Sequence, residues 1–329
     1  MVPVLATEPI LPKNSTCLAI SGGVGGAKLA LGLSRVLSSE QLSIVANTGD
    51  DFEHLGFYIC PDLDTVMYTL SDLSNKELGW GQAGESWNFL SALERLGGET
   101  WFRLGDRDLA THTRRTSLLK NGDSLSQATN KLCSALGISH PIIPMCDSVV
   151  STQVNIDNGE KLAFQHYFVR DRCAPVVTGF EFAGIEQAEP SPLFTSAMAD
   201  ERLACILICP SNPFVSVDPV LGIPGVMNAM QRSSAPLIAV SPIVGGQAIK
   251  GPAAKMMREL GMPETALAVA KHYQGRIDGF VIDNKDEAMQ ADIEALGIKV
   301  LVTPTIMKNL EDRVGLAEAC LQFAAEFDV

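Results

Sequence analysis

The sequence has no CxxC pair, no Gly-Lys-Ser/Thr triplet and no long uninterrupted apolar run, and each gap removes a class of protein. The eight cysteines, at 17, 60, 133, 146, 173, 205, 209 and 320, show neither zinc-site spacing nor a secreted disulfide framework. Cys205 and Cys209 fall in the apolar run ACILIC, where buried thiols are common. The five histidines are scattered, so a His-based metal site has little support. Basic residues are in deficit, 25 against 38 acids for a net charge of -13, and such a chain repels a phosphate backbone. Nucleic acid is therefore not an expected partner. The longest charge-free apolar stretch, Ser233 to Ile249, is punctuated by Pro236, Pro242, Gly245 and Gly246, so no membrane span is expected. The opening MVPVLATEPILPKN lacks a basic region followed by an apolar one, which points to an irregular extension and a cytoplasmic protein.

What is present, 46% hydrophobic residues in 329, is enough for a packed core. Short apolar, β-branched runs alternate with helical patterns, the signature of βαβ units and a largely parallel, Rossmann-like sheet. Cys17 to Ile20 reads as a strand, Ser21 to Gly26 as a glycine turn, Ala27 to Leu37 as a helix and Leu42 to Ala46 as the next strand. Further strands are expected at Ile142 to Met145, Cys205 to Cys209, Leu237 to Val240, Gly279 to Ile282 and Val300 to Val302, with a last helix over Leu310 to Phe327. Asp157-Asn158-Gly159 predicts a small β-hairpin between Thr152 and Phe168. The segment at about 63–136 reads as a helical insertion, within a single domain over 17–329 that follows an irregular extension, 1–16.

SGGVGGAK, Ser21 to Lys28, joins a strand to a helix, where Gly22, Gly23, Gly25 and Gly26 let backbone amides approach an anion and the helix dipole favours one. A tight turn would use the same glycines. Its spacing is not that of a Walker A loop, and Lys28 stands where a dinucleotide fingerprint has its last glycine. NTGDD, Asn47 to Asp51, and PDLDT, Pro61 to Thr65, bring Asp50, Asp51, Asp62 and Asp64 close in sequence. Carboxylates at strand ends beside a glycine loop suit Mg²⁺ on a pyrophosphate, and Asp62 or Asp64 could equally cap the helix that follows.

RLGDRDLATHTRR, Arg103 to Arg115, gathers Arg103, Arg107, Arg114 and Arg115 with Asp106, Asp108 and His112 at a loop-to-helix junction. Arginine forks suit phosphate or carboxylate, and a solvated ion-pair face is the alternative. CPSNPFVSV, with Ser211 and Asn212, and SPIVGGQAIKGPAAK, with Gly245 and Gly246, each follow a strand at the edge where α/β ligands bind, although their glycines and prolines could serve bends alone. Asn284-Lys285-Asp286-Glu287 imitates a guanine-reading NKxD, but Glu287 takes the last place and no Walker A accompanies it.

Taken in order, SGGVGGAK, NTGDD, ICPDLDTVMYTL, LGDRDLATH, PSNP and SPIVGG resemble the 2-phospho-L-lactate transferase family, which makes the phosphodiester of the deazaflavin coenzyme F420. The resemblance runs from Cys17 over nearly the whole chain. It implies a Rossmann-like fold, a homodimer, Mg²⁺, and transfer of a phospholactyl, phosphoenolpyruvyl or phosphoglyceryl group from a guanosine diphosphate conjugate to the ribityl hydroxyl of Fo, 7,8-didemethyl-8-hydroxy-5-deazariboflavin. GMP leaves and F420-0 or an analogue forms. By position, Asp64 and Arg103 would contact Fo, Asp50 and Asp64 would be catalytic, and Asp50, Asp64 and Asp51 would supply metal ligands. Gly22, Gly23, Gly25, Gly26, Lys28, Ser211, Asn212, Gly245 and Gly246 would surround the nucleotide and its phosphates.

The competing resemblance is to the gluconeogenesis factors, a sister family of sugar-nucleotide-binding regulators with the same strand, glycine loop and helix opening. That family carries a DDGGSSGR-type segment where this chain has NTGDDFEHLG, which favours the transferase. A Rossmann oxidoreductase is disfavoured by the glycine spacing and by Asn47, where an acid would hold an NAD ribose.

Overall fold

The computed structural model describes residues 11–327 apart from 13, 78, 249 and 250; residues 1–10 of the expected extension and Ile249 and Lys250 of the SPIVGG segment lie outside the described residues. Seven strands form the central sheet: β1 (Thr16–Ser21), β2 (Leu42–Ala46), β3 (Ile142–Pro144), β4 (Leu203–Ile208), β5 (Leu237–Val240), β6 (Gly279–Ile282) and β7 (Lys299–Val302). Their order is β7-β6-β5-β4-β1-β2-β3, and every neighbouring pair is parallel. From β1 the chain builds outward through β2 and β3, then returns to build the other half from β4. The direction therefore reverses between β1 and β4, the place in such a sheet where ligands bind.

Alternation along each strand divides the core. Cys17, Ala19, Ile44 and Leu207 face one layer, made by α1 (Gly23–Val36), α2 (Pro61–Leu70) and the last helix, Leu310–Ala325. Leu18, Ile20, Val45 and Ile206 face the other, made by short helices and a small antiparallel sheet. Both faces are covered, which is why these strands read as continuous apolar runs.

Between β2 and β3 lie α2, α3 (Asn88–Arg95), α4 (Asp106–Lys120) and α5 (Leu125–Ala135). Their ends are fixed by side chains. Ser124 and Gln127 make a reciprocal capping box on α5. Glu85 accepts from the amides of Arg107 (2.8 Å) and Asp108 (2.9 Å) at the start of α4, while Asp106 accepts from those of Asn88 (3.2 Å) and Phe89 (3.1 Å) at the start of α3. Each helix is thus capped by an acid from the other's approach.

Three local expectations need correction. The glycine turn is shorter than Ser21 to Gly26, because α1 already begins at Gly23; Gly25 and Gly26 serve close packing inside the first helical turn. The hairpin around Asp157 to Gly159 is present, Ser151–Ile156 with Lys161–Ala163, but a third strand, Val177–Ala183, pairs antiparallel with the first. That strand is only partly buried and lacks a clean alternation to betray it. A second hairpin, Phe52–His54 with Phe57–Ile59, turns at Leu55 (φ 53°) and Gly56 (φ 75°), where Leu replaces the Asn or Asp that announces such turns.

Candidate active site

Four loops converge where β1 and β4 part. Gly22 closes β1, and its amide donates to Ser211 Oγ in the loop after β4 (3.0 Å). Asn47 ends β2, and its side-chain amide donates to Asp62 Oδ2 (3.0 Å) and to the Val215 carbonyl (3.3 Å), while its Oδ1 accepts from Gly49 N (2.8 Å). Asp62 lies in the first turn of α2 but turns away from it, and Oδ1 accepts from Gly23 N at the head of α1 (2.6 Å). The small antiparallel sheet adds a fourth tie, Thr152 N to the Gly49 carbonyl (2.7 Å).

The glycines are explained by this convergence. A Cβ on Gly22 would lie 2.4 Å from Ser216 Cβ, one on Gly25 2.3 Å from the Pro210 carbonyl oxygen, and one on Gly26 2.6 Å from Ser21 Oγ. With the Gly22 and Gly23 amides already engaged, the Val24 and Gly25 amides remain without intrahelical acceptors at the head of α1, the kind of end that can take an anion.

Asp50, Asp51, Asp62 and Asp64 are all buried beside this loop. Oδ1 of Asp50 and both oxygens of Asp51 have no hydrogen-bond partner. Burial, and next the Asp62 carboxylate, push the pKa of Asp50 well above the ordinary carboxylate value; burial does the same for Asp51. Burial raises Asp62 to about 6, against the opposing pull of its Asn47 and Gly23 donors. Buried carboxylates without partners are costly, and a hard divalent cation supplies what this group lacks. The donor set fits Mg²⁺, with Asp50 and Asp51 as the residues that would hold it.

Asp64 is placed differently. Its two oxygens meet the guanidinium of Arg115, which is fully buried and whose Nη1 lies 3.1 Å from Oδ2. Arg115 Nη1 also approaches the Tyr58 carbonyl (3.3 Å) and His112 Nδ1 (3.3 Å). His112 Nε2 stands 3.4 Å from Asp108 Oδ2, and Tyr68 donates to Asp108 Oδ1 (2.6 Å). Ligand atoms of Asp64, Asp108 and His112 lie within 4.8 Å of one another, the one grouping of such atoms among the described residues. Arg115 and Tyr68 already occupy it, so it is a polar lock between α2 and α4 rather than a vacant cation site.

The remaining predicted residues divide. Ser211 joins the convergence. Asn212 accepts from Phe214 N (3.0 Å) and so caps the turn that follows. Lys28 Nζ donates to the Met307 carbonyl (3.1 Å), toward the loop before the last helix. Gly245 and Gly246, both at positive φ, form the turn of a short hairpin, and Gly245 N is held by both oxygens of Asp286 (3.1 Å each). Asp286 comes from the NKDE segment, whose place is thereby structural. Arg103 is exposed and lies over the Trp87 ring (4.4 Å), while Arg115 from the same motif enters the acidic cluster.

Sequence reasoning missed Asn47 and Thr152 as organisers, and it left Arg115 undistinguished among four arginines. It also missed an aromatic group following the acidic loop, in which Trp101 stands edge-on to His54 (5.0 Å) and His166 (4.9 Å). The spacing Asp108, His112, Arg115 at i, i+4, i+7 was the available signal for one polar helix face.

Fold and site together define a doubly wound α/β enzyme with its crevice at the β1/β4 reversal. The chain belongs to the 2-phospho-L-lactate transferase CofD family, whose description matches residues 17–307, and it is a transferase. It is 39% identical over 314 residues to a phosphoenolpyruvate transferase of Streptomyces avermitilis, covering 94% of this chain and 98% of that one. It is 37% identical over 305 residues to a 2-phospho-L-lactate transferase of Methanosarcina mazei, covering 93% and 99%. A UPF0052-family protein of Bacillus halodurans shares the fold alone, with a TM-score of 0.60 at 13% identity over 93% of this chain and 98% of that one. No helix among the described residues is long and apolar enough to cross a membrane.

Proposed function

We propose that this enzyme transfers a small phospho-acid group from a guanosine diphosphate conjugate to the ribityl hydroxyl of Fo, releasing GMP and forming F420-0 or an analogue. The observation that carries the reading is the gathering of four buried aspartates beside the head of α1, with Oδ1 of Asp50 and both oxygens of Asp51 without a hydrogen-bond partner. Mg²⁺ on these carboxylates would supply charge neutralisation for a pyrophosphate. The amides at the head of α1 bind a phosphate oxygen. The Fo hydroxyl forms a bond to the phosphorus nearer the acid as the bond to the GMP oxygen breaks. Asp64 accepts the hydroxyl's hydrogen bond, aligns it for attack and takes its proton as the new O–P bond forms. The half-buried face of Trp101, with its two histidine neighbours, offers a flat surface suited to a deazaflavin ring.

Relatives named for phosphoenolpyruvate and for 2-phospho-L-lactate stand at 39% and 37% identity, too close to choose the donor's acid. The reading includes a cytoplasmic homodimer. The test is incubation of the purified enzyme with Fo, Mg²⁺ and each of the lactyl, enolpyruvyl and glyceryl donors, with mass detection of the phosphodiester. Product with one donor supports the reading. No product with any, together with tight GDP binding, would make this a nucleotide-binding protein without the transfer.

A further inference from the structure

We propose that Arg115, assisted by His112, is a positioning residue that holds the Asp64 carboxylate in the orientation the acceptor hydroxyl requires. The inference rests on the role given to Asp64 above. Asp64 and Tyr68 stand one turn apart on α2, and Asp108, His112 and Arg115 occupy one face of α4. The two faces meet in a continuous polar network in which every link is within 3.4 Å: Tyr68 to Asp108, Asp108 to His112, His112 to Arg115, and Arg115 to Asp64.

Holding two helices together does not call for such a network. Apolar side chains of similar volume do so without removing charges from water, and replacing a buried ion pair by them is often neutral or stabilising. What apolar packing cannot do is fix both oxygens of a carboxylate. The planar guanidinium does this through paired N–H groups, and its further contact to the Tyr58 carbonyl fixes the guanidinium in turn. His112 adds direction. Its Nδ1 lies 3.3 Å from Arg115 Nη1 and so backs the guanidinium, while Nε2, which makes no hydrogen bond, stands 3.4 Å from Asp108 Oδ2. Lys28, Arg103 and Arg107 have their named contacts elsewhere: the Met307 carbonyl, the Trp87 ring and the Ala83 carbonyl.

Steady-state kinetics of Arg115→Lys, His112→Gln and Asp64→Asn, with each of the first two also combined with Asp64→Asn, test the proposal. Arg115→Lys keeps the charge but not the fork, and kcat is expected to fall about 10-fold or more. KM for the guanine-nucleotide donor and GDP binding by calorimetry should stay within about twofold. In the Asp64→Asn background the same change should cost nothing further, because the carboxylate it aligns is gone. His112→Gln should behave alike with a smaller loss, and it keeps the test available if Arg115→Lys unfolds, as checked by circular dichroism. Equal losses in both backgrounds would overturn the proposal while leaving Asp64 in its role. Wild-type turnover of Asp64→Asn would overturn both.

Discussion

Asp62 reaches from the first turn of α2 to the amide of Gly23, 2.6 Å away, and so fastens the head of α1 to the acidic cluster. Its other oxygen takes the side-chain amide of Asn47 at the end of β2. One carboxylate thus joins the glycine turn to the strand beside it. A helix-capping role on α2, one of the two readings open from the sequence, does not hold for Asp62.

Asp62→Ala should therefore damage the nucleotide site rather than α2. It leaves the half-buried Gly23 amide and one buried N–H of the Asn47 side chain without acceptors, the latter at about 1–3 kcal/mol. Calorimetry should show weaker GDP binding together with a lower melting temperature. Unchanged GDP affinity in a destabilised protein would reduce the link to Gly23 to scaffolding.

Asp50→Asn and Asp51→Asn should each weaken Mg²⁺ or Mn²⁺ binding by about 10-fold or more, since each removes one anionic oxygen donor from a hard cation. Metal titration by calorimetry reads this directly. Both substitutions should raise the melting temperature of the metal-free protein, because they remove buried charge. Unaltered metal affinity in both variants would sink the assignment.

Asp62 has a folded-state pKa of about 6 against an ordinary value of 3.8, and Asp50 and Asp51 shift in the same direction. The folded protein thus binds protons that the unfolded chain has released, and for these groups stability rises as pH falls from above 6 toward 4. Metal-free protein should melt higher at pH about 5.5 than at about 7.5, and Asp50→Asn should flatten that slope. Added Mg²⁺ should stabilise most at the higher pH. A metal-free protein that loses stability over this interval would contradict the shifts.

Gly32 and Gly315 offer a matched pair. A Cβ on Gly32 would sit 2.1 Å from the backbone carbonyl oxygen of Arg313, where α1 crosses the last helix, whereas one on Gly315 meets nothing within 4 Å. Gly32→Ala should cost about 1–3 kcal/mol or more in urea unfolding, as overpacking does. Gly315→Ala should gain up to about 1 kcal/mol, from helix propensity alone. Equal effects would mean the two helices separate readily.

All seven strands of the central sheet can be read from the sequence, because both faces are covered and each strand is a short apolar run between turn residues. The acidic cluster and glycine loop are legible too, since Asn47 to Asp51 and Pro61 to Thr65 follow strand ends where ligands bind. What cannot be read is how each carboxylate is satisfied. Asp62 and Asp64 look alike in PDLDT, yet one ties down a backbone amide and the other lies under Arg115, 51 residues away in sequence. Val177–Ala183 escaped notice because its inward positions, Val177, Phe180 and Phe182, do not alternate strictly, the register shifting where it pairs with Asn155 and Ile156.

The clamp on α1 has a consequence for biogenesis. Lys28 is held by a carbonyl 279 residues further on, and Gly32 packs on Arg313 close to the end of the chain. Contacts this distant in sequence form late. Helix α1 precedes these partners by 279 residues or more, so it is made long before it can be seated. An interrupted translation product ending before Met307 carries every aspartate of the site, but its glycine-rich helix has no C-terminal partner to lean on. The seating of α1 thus waits on a chain that extends past Arg313.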